Sequence, residues 1–156
     1  MYPSGKRPGS VVALCALEAL FGILGVVSGA MLIADPSGAI MGFSDDIRES
    51  IPFQSFLPVG LFLLFIFGLG SLLLGYGAWT RRELFLGWLS HAAKRHWSWT
   101  GGMLMMVVLV AWLAVEGALI GLEWAATYMT VAIGVSIFMM LVIPTTVVYY
   151  RFVSGT

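Results

Sequence analysis

Residues 56–79 read FLPVGLFLLFIFGLGSLLLGYGAW, with no Asp, Glu, Lys or Arg among them. A helix rises about 1.5 Å per residue and a bilayer's hydrocarbon core is about 30 Å thick, so roughly 20 apolar residues cross it. This stretch is long enough. Its proline, Pro58, falls in the first turn, where a missing N–H breaks no helical bond. Outward from it the pattern recurs. Only Glu18 interrupts the run between Arg7 and Asp35, only Glu116 the run between Arg95 and Glu123, and nothing charged lies between Glu123 and Arg151. Four membrane helices are expected, over 11–33, 56–79, 100–122 and 125–150. The fold class is therefore all-α, a four-helix integral membrane bundle forming a single domain over 1–156.

Composition agrees. Of the 156 residues, 60% are hydrophobic and 10% charged, against about 45–50% and 25% in soluble proteins. Lys6 and Arg7 precede the first run as in a signal peptide, but a signal core has about 7–15 apolar residues. The run is longer, and we read it as a retained span. Pro144 removes a backbone bond to the Met140 carbonyl and should bend the fourth helix, with Thr145 and Thr146 placed to satisfy the freed groups.

Orientation follows from the cations. Lys6, Arg7, Arg81, Arg82, Lys94, Arg95 and Arg151 fall on one side of the four spans and Arg48 alone on the other. Positive loops stay inside, so both termini are expected in the cytoplasm and the protein in the cell (inner) membrane. The outer connection, 34–55, opens on Asp35-Pro36-Ser37-Gly38, suited to a tight turn. Asp46 is expected to cap a short helix there, with Glu49 completing the reciprocal box. The inner connection, 80–99, alternates Arg81, Arg82, Lys94, Arg95 and His96 with Leu84, Phe85, Leu86, Trp88, Leu89, Trp97 and Trp99. It reads as an amphipathic segment lying among the headgroups, with membrane lipids as its partner and no nucleic acid.

Few residues carry chemistry. Glu18 and Glu116 are ionisable groups inside spans, where a charge costs about 2.5–3.5 kcal/mol even on the gentler insertion scale. Gly22, Gly25 and Gly29 follow Glu18 on one helix face, a stripe that lets a second helix approach closely. Glu18 should therefore face protein, as a proton-bearing group, a hydrogen-bonding group, or the partner of Arg81 or Arg82. Trp112 lies one turn before Glu116 and its indole could reach the carboxyl group. Gly117 and Gly121 offer a second small-residue face. At 1.5 Å per residue the two glutamates stand about 14 Å apart along the membrane normal, too far to share a site.

Metal and cofactor sites are not expected. His91 and His96 both lie in the connecting segment, which excludes axial haem ligation within the spans. Met103, Met105, Met106, Met139 and Met140 could offer thioethers to Cu(I), but no Cys or His accompanies them, and methionine is ordinary core filler. The single Cys15 forbids an intrachain disulfide.

Several strings resemble small four-span bacterial membrane proteins of unassigned function. They are Leu17-Glu18-Ala19-Leu20, Asp35-Pro36-Ser37-Gly38, Pro52-Phe53, Leu57-Pro58, Trp97-Ser98-Trp99, and Trp112 to Glu116 with Gly121. Glu18 followed by Gly22 in a first span is similar to small multidrug-resistance transporters, and that likeness implies a proton-exchanging carboxylate. The long connections and strong charge bias depart from it. In topology the chain is similar to DoxX-like proteins. Two functions are expected. The first is a non-catalytic protein acting by helix association, as a homo-oligomer or as an accessory subunit with other membrane subunits. The second is a small proton-coupled transporter or lipid-binding or hydrophobic-ligand-binding protein using Glu18.

Overall fold

A computed structural model describes residues 6–82 and 87–151. Leu84, Phe85 and Leu86, expected on the interfacial face, lie outside the described residues. Four helices are long and apolar enough to cross a membrane: α1 (Gly9–Ala34), α3 (Leu57–Thr80), α5 (Trp97–Leu119) and α6 (Ala125–Val142). Short helices fill the connections: α2 (Asp45–Ser50), α4 (Gly87–Ala93) and, after the fourth span, α7 (Pro144–Tyr149). The outward faces are apolar. Leu104, Val107 and Val110 are 61%, 65% and 68% exposed, a surface suited to lipid and not to water.

The spans run up and down as a four-sided bundle, with α1 packed on α3 and α6, and α5 on α3 and α6. The α1–α3 contact is the tightest. A Cβ on Gly25 would stand 2.6 Å from the Gly68 nitrogen, and one on Gly29 2.6 Å from the Leu64 nitrogen. A Cβ on Gly22 would meet Leu72 at 2.7 Å, and ones on Gly60 and Gly68 would meet Leu32 and Val26 at 2.9 Å. The glycine stripe of α1 thus meets glycines of α3, backbone against backbone. It is spent within the chain.

Within α3, residues Leu63–Gly70 are wound as a π-helix. Five residues along an α-helix turn about 140° past the starting face. A turn closing on i+5 brings residues five apart back over one another. Phe62 and Phe67 accordingly meet edge to face at 5.2 Å, and both touch Trp112, at 5.0 and 6.3 Å.

One end of the bundle gathers the cations, and some of its aromatic residues are drawn inward. Trp97, expected in the interfacial belt, is fully buried; its ring fills the space beside Gly77 and its indole donates to the Arg82 carbonyl at 2.8 Å. The cause is helix length. His96 caps α5, its Nδ1 accepting from the Ser98 N–H, so the helix starts three residues before position 100 and carries Trp97 into the bundle. Trp99, half-buried, donates to the Leu141 carbonyl at 2.9 Å. Arg7 lies over Trp79, Arg81 over Tyr149 and Arg95 over Trp99, at 4.1, 4.4 and 4.5 Å from the ring centroids. Trp88, 67% exposed, keeps a surface position, and Lys94 is an exposed turn residue at φ +52°.

Pro144 does more than bend the fourth helix. Ile143 adopts ψ +130°, which ends α6 at Val142, and Pro144 begins α7. The threonines that follow bond away from their own helix: Thr145 and Thr146 meet the Ser10 hydroxyl at 2.9 and 2.8 Å, tying α7 to the start of α1. At the other end, α2 begins after Ser44 with no side-chain cap, and Asp45 binds Arg48 at 2.9 Å. The expected Asp46–Glu49 box is absent from this helix.

Candidate functional site

The core is divided. A large buried cluster runs from Val11 and Trp97 at the basic end to Phe21, Phe67 and Leu109 in mid-bundle. A small one, Leu32, Ile51 and Phe56, closes the acidic end. Between them lies a cavity of about 300 Å³, walled by α1, the outer connection, α3, and the facing ends of α5 and α6. Its walls are mainly apolar and aromatic, with Phe21, Phe43, Phe56, Phe67 and Trp112 among them. Among the residues that line it, Ser28, Ser55, Thr127 and Thr130 carry hydroxyls and Glu116 a carboxyl group. Ligand cavities of this kind, concave and apolar with a few convergent polar groups, span about 300–1,000 Å³.

Each wall has a local cause. The π-turn of α3 places Phe67 inward, where it meets Phe21 at 5.4 Å and forms the floor with it. The roof is the connection 35–56. Asp35 organises its first turn, accepting from the Ser37 hydroxyl at 2.6 Å, the Ser37 N–H at 3.1 Å and the Ile40 N–H at 2.9 Å. Those bonds hold its carboxyl group below the usual carboxylate range, Ser37 contributing most. Gly38, at φ +80°, brings the backbone so close to Phe43 and Phe56 that a Cβ would stand 2.8 Å from each. Those two rings stack at 4.6 Å, and Phe43 meets Trp124 edge-on at 5.1 Å.

Glu116 is held by α6. Its Oε1 accepts a hydrogen bond from the Thr127 hydroxyl, and Thr127 is 3% exposed. The expected indole donor is not the partner, because Trp112 turns its ring flat onto Phe62. The polar partner comes from across a helix hairpin. Gly121, expected to pack helices, lies past the end of α5 at φ +82° with nothing within 4 Å of a Cβ, so it serves the turn. Gly117 faces Leu122 of its own connection at 3.0 Å. A hairpin closed at 121–122 sets positions 116 and 127, nearly equidistant from it, side by side. That symmetry about a glycine is a sequence signal that would have found Thr127.

Glu18 occupies a different place. It is 2% exposed, faces Gly75 and Gly102, and has Ser71 beside it. Its buried Oε2 and the Ser71 hydroxyl lie side by side, and among the described residues the expected pairing with Arg81 or Arg82 is not formed. Gly102 lies 3.6 Å from Oε1 (measured from the position of an added Cβ), fourteen residues before Glu116. The glutamates are therefore about 21 Å apart along α5 at 1.5 Å per residue, wider than the expected 14 Å. Phe21 and Phe67, which line the cavity, lie about one helical turn along their helices from Glu18 and Ser71, neither of which lines it.

Of the methionines, Met105 and Met106 are buried while Met139 is half-exposed on the outer surface, so the five do not converge. Among the described residues no group of three or more His, Cys, Asp or Glu is placed to hold a metal.

Fold and site define a small multi-span α-helical membrane protein with an apolar cavity at the acidic end of its bundle. Comparison with protein-family models, curated proteins and solved structures finds no match to this chain.

Proposed function

We propose that this protein binds a membrane-soluble apolar ligand in the cavity between α1, α3, α5 and α6, without catalysis. The observation that carries the reading is the cavity itself. A four-helix core of this size closes on itself by default, because interiors pack to crystal-like density. Here a gap of about 300 Å³ remains between α1, α3 and the facing ends of α5 and α6, under the connection that Gly38 turns. The reading that the chain acts as a homo-oligomer or accessory subunit rests on the absence of chemistry, the interfacial anchor of the inner connection and two glycine faces. Of those two faces, the first meets α3 and the second includes a turn glycine. The proton-coupled reading drew on Glu18, which does not line the cavity. In orientation, the seven cations gathered at one end support cytoplasmic termini in the cell (inner) membrane, with the cavity in the outer half.

The test is photolabelling in lipid nanodiscs with a dodecyl chain bearing a diazirine. Labels are expected on cavity residues such as Met41, Phe56 and Trp112, in excess over the lipid-facing Val107 and Val110. Labelling spread evenly over the outer faces would refute the reading.

A further inference from the structure

The cavity has a chemical polarity beyond being apolar. Among the described residues its one charged-type side chain is acidic: Glu116 lines it, and no Lys, Arg or His does. One carboxyl oxygen, Oε1, is engaged by the Thr127 hydroxyl; a carboxylate accepts through both oxygens, which leaves Oε2 to accept from a ligand. Aromatic residues, Phe21, Phe56, Phe67 and Trp112 among them, line the same cavity, and aromatic rings attract cations. The acidic end as a whole has the same sign. It carries Asp35, Asp45, Asp46, Glu49 and Glu123 against Arg48 alone, and Arg48 is already paired with Asp45 at 2.9 Å. Such a field concentrates cations near the cavity and repels anions.

From this arrangement we infer that the ligand is an apolar amine, an alkyl or ring body seated among Phe21, Phe56, Phe67 and Trp112 with a protonated N–H group donating to Glu116. The inference rests on the cavity reading above. A fatty acid of equal length is excluded by the same chemistry, since its carboxylate would meet Glu116 with no cation between them.

Binding of dodecylamine, dodecanol and dodecanoate is compared by calorimetry in zwitterionic nanodiscs, with empty discs subtracted. Dodecylamine should bind most tightly. Glu116→Gln should weaken it at least about tenfold, the size of one charge-assisted hydrogen bond, and by a clearly larger factor than it weakens dodecanol, whose neutral hydroxyl makes the weaker bond. Glu116→Asp, which keeps the charge, should retain a preference for the amine. Dodecanoate binding as well as dodecylamine in the unmodified protein would overturn the inference, as would an amine affinity indifferent to Glu116→Gln. If dodecanol binds and the amine binds no better, only the amine assignment fails. If none of the three binds, the cavity reading fails with it.

Discussion

Asp35 shows how one side chain sets the roof of the cavity. Ser37 and Ile40 donate to its carboxyl group, and these bonds favour the ionised form. A group whose pKa is lower in the folded chain than in the unfolded one stabilises the fold above the unfolded value, near 3.9 for Asp. That contribution is lost as pH falls through the lowered folded value. The turn at 35–40 should therefore hold at neutral pH and loosen only in acid below the ordinary carboxylate range. Hydrogen exchange at the Ile40 amide reports it: Asp35→Ala should speed exchange at pH 7, and should abolish the acid transition seen in the parent. The reading fails if Ile40 exchanges equally fast in both.

At the scale of elements, the α1–α3 contact decides how the bundle closes. Small residues let two membrane helices approach closely, and association there is driven by packing, without the help of water. At Gly25 the neighbour is the backbone of Phe67 and Gly68, which has no rotamer to change. Gly25→Ala must push the helices apart, at about 1–3 kcal/mol, the usual cost of overpacking. Gly9→Ala adds its methyl to open space and serves as the control. Thermal unfolding in detergent should show a clear loss of Tm for Gly25→Ala and for Gly68→Ala, and almost none for Gly9→Ala. Equal Tm in all three would mean that the glycine contact does not limit stability.

For the whole molecule the arguments concern direction. With four spans, the N-terminus, the α3–α5 connection and the end of α7 share one membrane face, and the connection 35–56 lies on the other. Cation counting assigns the first face to the cytoplasm. Ser90 is buried, so it is a poor labelling position, whereas Ala92 is exposed, as is Ser44. In a background lacking Cys15, Ser44→Cys should react with an impermeant thiol reagent on intact cells. Ala92→Cys should react only after permeabilisation. Labelling of both from one side would refute the four-span arrangement, and the reverse pattern would place the cavity in the inner leaflet.

How much of this the sequence by itself determined follows from the kind of signal each feature leaves. The number of spans is a composition signal: every residue of a 20-residue run votes for it, so α1, α3 and α5 begin and end within a few residues of the spans expected for them. α6 alone stops well short, because a single φ/ψ choice at Ile143 outweighs the run. The α1 glycine stripe was legible because helical spacing is one-dimensional. Its partner was not, since nothing local distinguishes a stripe that meets a second chain from one that meets α3. Trp97 reads as interfacial because tryptophan at a span boundary prefers the headgroups, and only the cap at His96 draws it into the core. The cavity was invisible in sequence. It is a shortfall of packing among four elements far apart in the chain, and it depends on a π-turn that shifts Phe67 around its helix and on Gly38 bringing the roof down. Local propensity chooses helices. Where they fail to fill space is decided by all of them at once.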